Sequence, residues 1–192
     1  MIDVAIDAAK QAGALAYTYF KKQLKVSFKT DNSPVTIADR EAEKLIREII
    51  AKNFPDHGII GEEFPATKPQ AKYQWVIDPI DGTKKFMIGN LYWSCFISVL
   101  ENGKPILGIS YFPAINEFFI AQKGKGAFLN DKRLKVSRIK KLADAFVIHG
   151  SIKHFTKLNK LAQIVKILEM SKANSGDGWS VGHNFLLKGK VE

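Results

Sequence analysis

Cysteine is almost absent from this sequence. The 192 residues include one cysteine, Cys95, and four histidines, and these residues do not form a cluster with the spacing of a zinc site. Cys95 lies in an apolar run, so we interpret it as a buried core thiol in a reducing cytoplasm and not as a nucleophile. The sequence therefore predicts a cytoplasmic protein without a zinc centre.

Long hydrophobic runs are also missing. No stretch of 18 apolar residues occurs, so we expect no transmembrane helix. The first residues include Asp3 and lead directly into an amphipathic pattern, which is not typical of a signal peptide. Hydrophobic residues still make up 46% of the chain, enough for a sizeable core in one domain or in two closely packed lobes.

Acidic residues are scarce in the last third of the chain. Basic and acidic residues each number 14 in residues 1–120, whereas residues 121–192 contain 15 basic and 5 acidic residues. A basic face can bind nucleic acid or attract anionic substrates. The lysines of residues 153–172 interrupt an amphipathic pattern without an aromatic and basic motif beside them. We therefore interpret this segment as a solvated basic helix and do not expect nucleic-acid binding.

The most informative segment is residues 75–83, Trp-Val-Ile-Asp-Pro-Ile-Asp-Gly-Thr. Its first three residues predict a buried strand. The proline and glycine that follow are expected to turn the chain out of this strand, because proline fixes φ and glycine accepts a positive φ. The carboxylates of Asp78 and Asp81 and the hydroxyl of Thr83 should therefore meet at one strand end. Oxygen ligands in such a place suit a hard cation such as Mg²⁺.

A second acidic pair, Glu62-Glu63, follows a short apolar strand over residues 58–61. Adjacent acids are common in solvated loops, but this pair together with residues 75–83 resembles the inositol monophosphatase family of Mg²⁺-dependent phosphomonoesterases. Residues 33–39, Ser-Pro-Val-Thr-Ile-Ala-Asp, and residues 124–130 also resemble that family. The resemblance covers nearly the whole chain.

The resemblance implies roles for individual residues. The implied metal ligands are Glu62, Asp78, the carbonyl oxygen of Ile80, and Asp81. The implied catalytic residues are Asp39 and Thr83, which would orient and deprotonate the attacking water, and Glu63, which would support the metal ligands or a second water. The implied substrate contacts are the N–H groups of Gly82 and Thr83, the side chain of Lys84, and Asp177; Lys85 is expected to be solvated. Asp39 also has a structural interpretation, as the acid three residues after a helix cap at Thr36.

The substrate stays open at this point. Residues 81–86 and the pair Gly176-Asp177 look more like histidinol-phosphate phosphatases, while inositol monophosphate is the generic family substrate. Fructose 1,6-bisphosphate and adenosine 3′,5′-bisphosphate are further alternatives. The family commonly forms homodimers, so the resemblance also implies a homodimer.

Hydrophobic periodicity predicts an α+β fold, since two helices precede a run of antiparallel strands. The predicted helices cover residues 3–22, about 37–53 and 155–171. The predicted strands cover residues 25–29, 93–101, 105–112, 117–122 and 145–149, with a turn over residues 30–34 and a hairpin at Asn102-Gly103. The resemblance implies the layered αβαβα sandwich of sugar phosphatases. We expect a lobe over residues 1–140 with the metal site and a partial lobe over residues 141–192.

The end of the sequence departs from the family pattern. Family members continue through a Trp-Asp pair whose aspartate is another metal ligand, and this chain contains no Trp-Asp dipeptide. The expectation is therefore a C-terminally truncated member with an incomplete second lobe. Two functions follow: a Mg²⁺-dependent phosphatase, or a weakly active or inactive member that binds metal or a partner.

Overall fold

The computed structural model describes residues 1–22, 27–28, 34–35, 37–178 and 180–192. They group into two compact units, Met1–Arg133 and Leu134–Glu192, whereas the sequence placed a boundary at 140. The predicted cap at Thr36, most of the predicted turn over residues 30–34, and Trp179 lie outside the described residues. Of the predicted strand over 25–29, strand β1 (Ser27–Phe28) is described, and it pairs antiparallel with β2 (Pro34–Val35).

Two long helices form the helical layer of the first unit. Helix α1 (Ile2–Phe20) and helix α2 (Ile37–Asn53) agree with the predicted helices. The buried face of α1 consists of small residues, mainly alanines such as Ala8 and Ala12, so the helix can approach its neighbours closely. Nowhere in the described part of the chain is a helix both long and apolar enough to cross a membrane.

The helices pack on a large sheet. Its strands are β3 (Gly58–Gly61), β4 (Tyr73–Asp81), β5 (Ser94–Glu101), β6 (Lys104–Phe112), β7 (Glu117–Gln122), β8 (Gly126–Leu129) and β9 (Lys132–Arg133). Neighbours in the sheet follow the order of the chain; β3 is parallel to β4, and the other pairs are antiparallel. The predicted hairpin between β5 and β6 is confirmed, with positive φ at both Asn102 and Gly103. The predicted α+β class is confirmed.

The core lies between this sheet and the two helices. Alternate residues of the central strands are buried, as expected for one covered face of a sheet. They include Trp75, Ile77, Cys95, Ile97, Val99, Leu107 and Ile109, which pack with Ile46 and Ile50 of α2. Cys95 is a free, fully buried thiol, which confirms its interpretation as a core residue.

Strand β4 is longer than its predicted core of residues 75–77. It continues through Pro79 to Asp81, although proline cannot donate to a strand ladder. The register with β5 shifts between Asp78 and Asp81, so the proline sits in an irregularity of the ladder. The chain leaves the strand only at Gly82, where φ is 85°. The prediction that Pro79 ends the strand was therefore wrong.

The second unit contains two parallel strands and three α-helices among its described residues. Strand β10 (Phe146–Ile148) pairs with β11 (Ala173–Ser175). The predicted helix over 155–171 is instead two helices, α4 (Ile152–Lys157) and α5 (Leu161–Met170). They separate at Asn159, whose φ of 55° is left-handed and cannot continue a helix. Helix α6 (Ser180–Leu187) follows β11.

Candidate active site

The end of β4 fixes two carboxylates through the backbone of the same turn. The N–H of Ile80 donates to Oδ1 of Asp78 at 3.1 Å. The N–H of Gly82 donates to the carboxylate of Asp81. Gly82 then leads into the short helix α3 (Thr83–Met87). Because the Gly82 N–H already bonds Asp81, a phosphate oxygen would have to share or displace that bond to use it.

The predicted contact between Asp39 and Thr83 is confirmed. Asp39 lies in the first turn of α2 and is 2% exposed. Oγ1 of Thr83 lies 3.3 Å from Oδ1 of Asp39 and 3.2 Å from the carbonyl oxygen of Ile80. The structure therefore places these two side chains as an acid and a hydroxyl in contact, at the turn that follows Asp81.

Glu62 comes from the loop after β3 and reaches the same strand end, because β3 and β4 are parallel neighbours. Its side chain forms a hydrogen bond with the carboxyl of Asp78. Burial, the charges of Glu62 and Asp81, and this hydrogen bond together raise the pKa of Asp78 to about 9. Burial and the charge of Glu62 raise the pKa of Asp81 to about 6. The three acids thus form one interacting cluster.

This cluster is not a preformed metal cage. Within the described ranges, no group of three or more histidine, cysteine, aspartate or glutamate side chains has the arrangement needed to hold a metal ion. Asp78 and Glu62 bond to each other instead. The chemistry of the donor set nevertheless fits Mg²⁺, since carboxylate and carbonyl oxygens are the ligands that this ion prefers. The metal-ligand roles of Glu62, Asp78, Ile80 and Asp81 stay predictions.

Sequence reasoning missed Glu43, which organises the loop that carries Glu62. Glu43 lies on α2 and is fully buried. Its carboxylate accepts hydrogen bonds from the backbone N–H groups of Glu63 and Phe64 and from Nε of Arg47. One signal was available in the sequence, because Glu43 and Arg47 are four residues apart on a helix whose buried face surrounds Glu43.

The remaining predicted residues lie in different surroundings. Lys84 is exposed whereas Lys85 is half-buried, so the expectation that Lys85 is the solvated lysine was wrong. Asp177 belongs to the unit Leu134–Glu192, where it is exposed and accepts a hydrogen bond from the hydroxyl of Ser175 at 2.7 Å.

The sheet and its acidic strand end define an α+β protein with a carboxylate-rich site at the edge of a mixed sheet. A family model described as the inositol monophosphatase family matches residues 1–182. The chain therefore belongs to the inositol monophosphatase family.

Individual relatives carry several names. The chain is 40% identical over 192 residues to the histidinol-phosphatase of Chlorobaculum parvum, covering all of this chain and 74% of that protein. It is 39% identical over 153 residues to the Nus factor SuhB of Pasteurella multocida, covering 78% of this chain and 57% of that protein. The structure superposes on an IMPase of Thermotoga maritima with a TM-score of 0.88 at 32% identity, covering all of this chain and 74% of that one. The chain thus spans between about half and three quarters of the length of these proteins.

Proposed function

We propose that this protein is a Mg²⁺-dependent phosphatase that hydrolyses the phosphate monoester of a small alcohol. The observation that carries the proposal is the position of three acids, Glu62, Asp78 and Asp81, at one strand end beside the contact between Asp39 and Thr83. Phosphoryl transfer needs charge neutralisation on the phosphate and a positioned nucleophile. The cluster of acids supplies ligands for a cation that neutralises the phosphate charge, and the contact between Asp39 and Thr83 supplies a base that positions the nucleophile.

In this proposal Glu62, Asp78, Asp81 and the carbonyl oxygen of Ile80 would hold the metal. Mg²⁺ held there would neutralise phosphate charge and make a water more acidic. The hydrogen bond between Asp78 and Glu62 has to give way, and its proton has to leave, before both carboxylates bind a cation. Two ionised carboxylates that lie close together at reduced dielectric repel each other, so the loss of this proton is unfavourable unless a cation lies between them.

The Asp39 and Thr83 pair acts on the attacking water. Thr83 Oγ1 donates its single hydrogen to Asp39 and keeps lone pairs that accept from a water molecule. Asp39 receives the proton as the water oxygen bonds to phosphorus and the bond to the alcohol oxygen breaks. The alcohol oxygen takes up a proton from a solvent water, and Asp39 returns its proton to solvent, so the products are the free alcohol and inorganic phosphate. Glu63 supports the metal ligands from the same loop as Glu62.

Substrate contacts complete the assignment. Lys84 is exposed at the start of α3, where its charge attracts the phosphate group. The N–H group of Thr83 is assigned to a phosphate oxygen, and the N–H of Gly82 can join it only by sharing or giving up its hydrogen bond to Asp81. The name of the Chlorobaculum relative and the motif of residues 81–86 favour histidinol phosphate as the substrate, with inositol monophosphate as the second candidate.

The second candidate function is a binding protein that holds a metal or a partner with little catalysis. It is favoured by the Pasteurella relative, which is named a Nus factor and not by an activity. Both candidates use the same acidic site, and both agree with a cytoplasmic location. They differ in whether phosphate is released.

The test is a phosphate-release assay on histidinol phosphate and inositol monophosphate, with Mg²⁺ and with a chelator. We expect release that requires Mg²⁺, is faster with histidinol phosphate, and is lost in Asp78→Asn and Asp81→Asn. Asp56→Asn is the matched control, because the Asp56 side chain is 98% exposed and its carboxylate lies 4.0 Å from Nζ of Lys68. Binding of Mg²⁺ without release from any phosphate ester would support the second candidate instead.

A further inference from the structure

Glu43 is a buried carboxylate that the proposed chemistry does not use. Its side chain is fully buried on α2, on the same helix as Asp39. Burying a carboxylate is unfavourable unless hydrogen bonds and an opposite charge compensate for the lost hydration. The groups that compensate in this case belong to one short loop and one arginine.

The loop is residues 62–64, and its backbone bonds Glu43 directly. The N–H of Glu63 donates to Oε2 of Glu43 at 2.7 Å, and the N–H of Phe64 donates to Oε1 at 3.2 Å. Arg47 provides the opposite charge, with Nε 2.8 Å from Oε1. Arg47 also donates from Nη2 to the carbonyl oxygen of Phe64 at 2.9 Å. Glu43 and Arg47 therefore hold the loop through three backbone groups.

The other side of Glu62 is held by close packing. A Cβ atom added to Gly61 would lie 2.0 Å from Oε1 of Glu43 and 2.8 Å from Nη2 of Arg47. Only glycine therefore lets the end of β3 lie against the carboxylate. Both neighbours of Glu62 in the chain, Gly61 and Glu63, are thus in contact with the same buried side chain.

We propose that Glu43 is a positioning residue that fixes Glu62 for metal binding, an inference that rests on the proposed function. The side chain of Glu62 is exposed, and its hydrogen bond to Asp78 has to give way when both carboxylates bind a cation, so in the metal-bound state its backbone is what directs the carboxylate. The direction of its Cα–Cβ bond is set by the backbone of residues 61–63. Side chains that orient a metal ligand contribute to affinity because a preorganised ligand loses less freedom on binding.

Two variants disturb the contact in different ways. Glu43→Gln keeps the shape but removes the charge and one acceptor oxygen. Gly61→Ala keeps Glu43 but displaces its carboxylate by steric contact. This variant tests the same contact if Glu43→Gln does not fold. Glu48→Gln is the matched control, because Glu48 lies on the same helix, is 62% exposed and pairs with Lys44 at 3.9 Å.

Three measurements are made on the full chain. They are the dissociation constant for Mg²⁺ by calorimetry, the exchange rates of the Glu63 and Phe64 amides without metal, and the midpoint of thermal unfolding. We expect Glu43→Gln and Gly61→Ala to weaken Mg²⁺ binding by about 10- to 100-fold, as is typical for residues that orient a ligand, and to accelerate both amides. Glu48→Gln should change neither property.

The outcomes separate this inference from the proposed function. Lower unfolding midpoints with an unchanged Mg²⁺ dissociation constant would show that Glu43 is only structural. Unchanged amide exchange in Glu43→Gln would show that Glu43 does not hold the loop, whether or not metal binds. Absence of Mg²⁺ binding by the unmodified chain would overturn the proposed function and the positioning role with it, whereas the amide exchange would still report on the loop.

Discussion

The hydroxyl of Thr83 lies between two acceptors, 3.3 Å from Oδ1 of Asp39 and 3.2 Å from the carbonyl oxygen of Ile80. A hydroxyl has one hydrogen, so it can satisfy only one of these acceptors at a time. If the Ile80 carbonyl binds a cation, as we propose, the hydrogen of Thr83 is directed to Asp39. Metal binding would then also organise the base.

The first prediction concerns Asp39. Asp39→Asn should lower kcat by about 10²- to 10⁴-fold, because the amide cannot take a proton from the water, and should leave the Mg²⁺ dissociation constant unchanged. Steady-state kinetics and calorimetry measure the two quantities. Thr83→Ser, which keeps the hydroxyl, should retain far more activity than Thr83→Val. Unchanged turnover in Asp39→Asn would mean that Asp39 only stabilises the start of α2.

The second prediction concerns stability and pH without metal. The pKa of Asp78 is raised to about 9 and that of Asp81 to about 6, from 3.8 in each case. The folded protein therefore keeps protons that the unfolded chain has lost, so the free energy of unfolding should fall as pH rises from about 4 to about 9. In the proposed function Mg²⁺ would bind the ionised carboxylates, so its stabilising effect should grow over the same range. Thermal unfolding at several pH values measures both trends.

Asp78→Asn is the control for this pH dependence. It should remove the decline between pH 7 and 9, because Asp78 is the group whose raised pKa lies in that window. Burial lowers the pKa of both His57 and His183 below 6.5, so the unfolded chain takes up protons at these side chains more readily than the folded protein. This difference lowers the free energy of unfolding only as the pH falls below about 6.5. If the free energy of unfolding still falls between pH 7 and 9 in Asp78→Asn, another group causes the decline.

The third prediction separates the two lysines after the motif. Lys84→Ala should raise KM for the phosphate substrate roughly two- to fivefold, the effect of removing one exposed charge, and the difference should shrink in high salt. Lys85→Ala should leave KM unchanged, because its half-buried side chain is expected to contribute to packing at α3. Measuring KM for both variants at two salt concentrations is the test, and equal effects of the two variants would contradict it.

The part of the site that the sequence predicted is the part encoded locally. Asp78, Asp81 and Thr83 lie within six residues, and the resemblance supplied Asp39 as the partner of Thr83. Glu43 was missed because a charged helix residue normally faces solvent, and its burial depends on a loop that returns to α2 from β3. The end of β4 was misplaced for a similar reason: the neighbouring strand β5 keeps Pro79 in the sheet through a register shift.

The last prediction concerns the apolar surface of residues 134–192. Among the apolar side chains of this segment, Phe146 and Leu186 are exposed, Ile148, Leu168 and Phe185 are partly buried, and Ile164 is buried. Helix α5 adds exposed apolar side chains, among them Val165 and Met170. Exposed apolar patches of more than a few hundred Å² favour association. We therefore expect this 192-residue chain to self-associate, as measured by analytical ultracentrifugation.

Two comparisons test that prediction. The double variant Val165→Lys and Met170→Lys should lower the association constant, whereas Lys166→Ala, on the same helix, should not. Equal association of the double variant and the unmodified chain would show that α5 is not the surface involved.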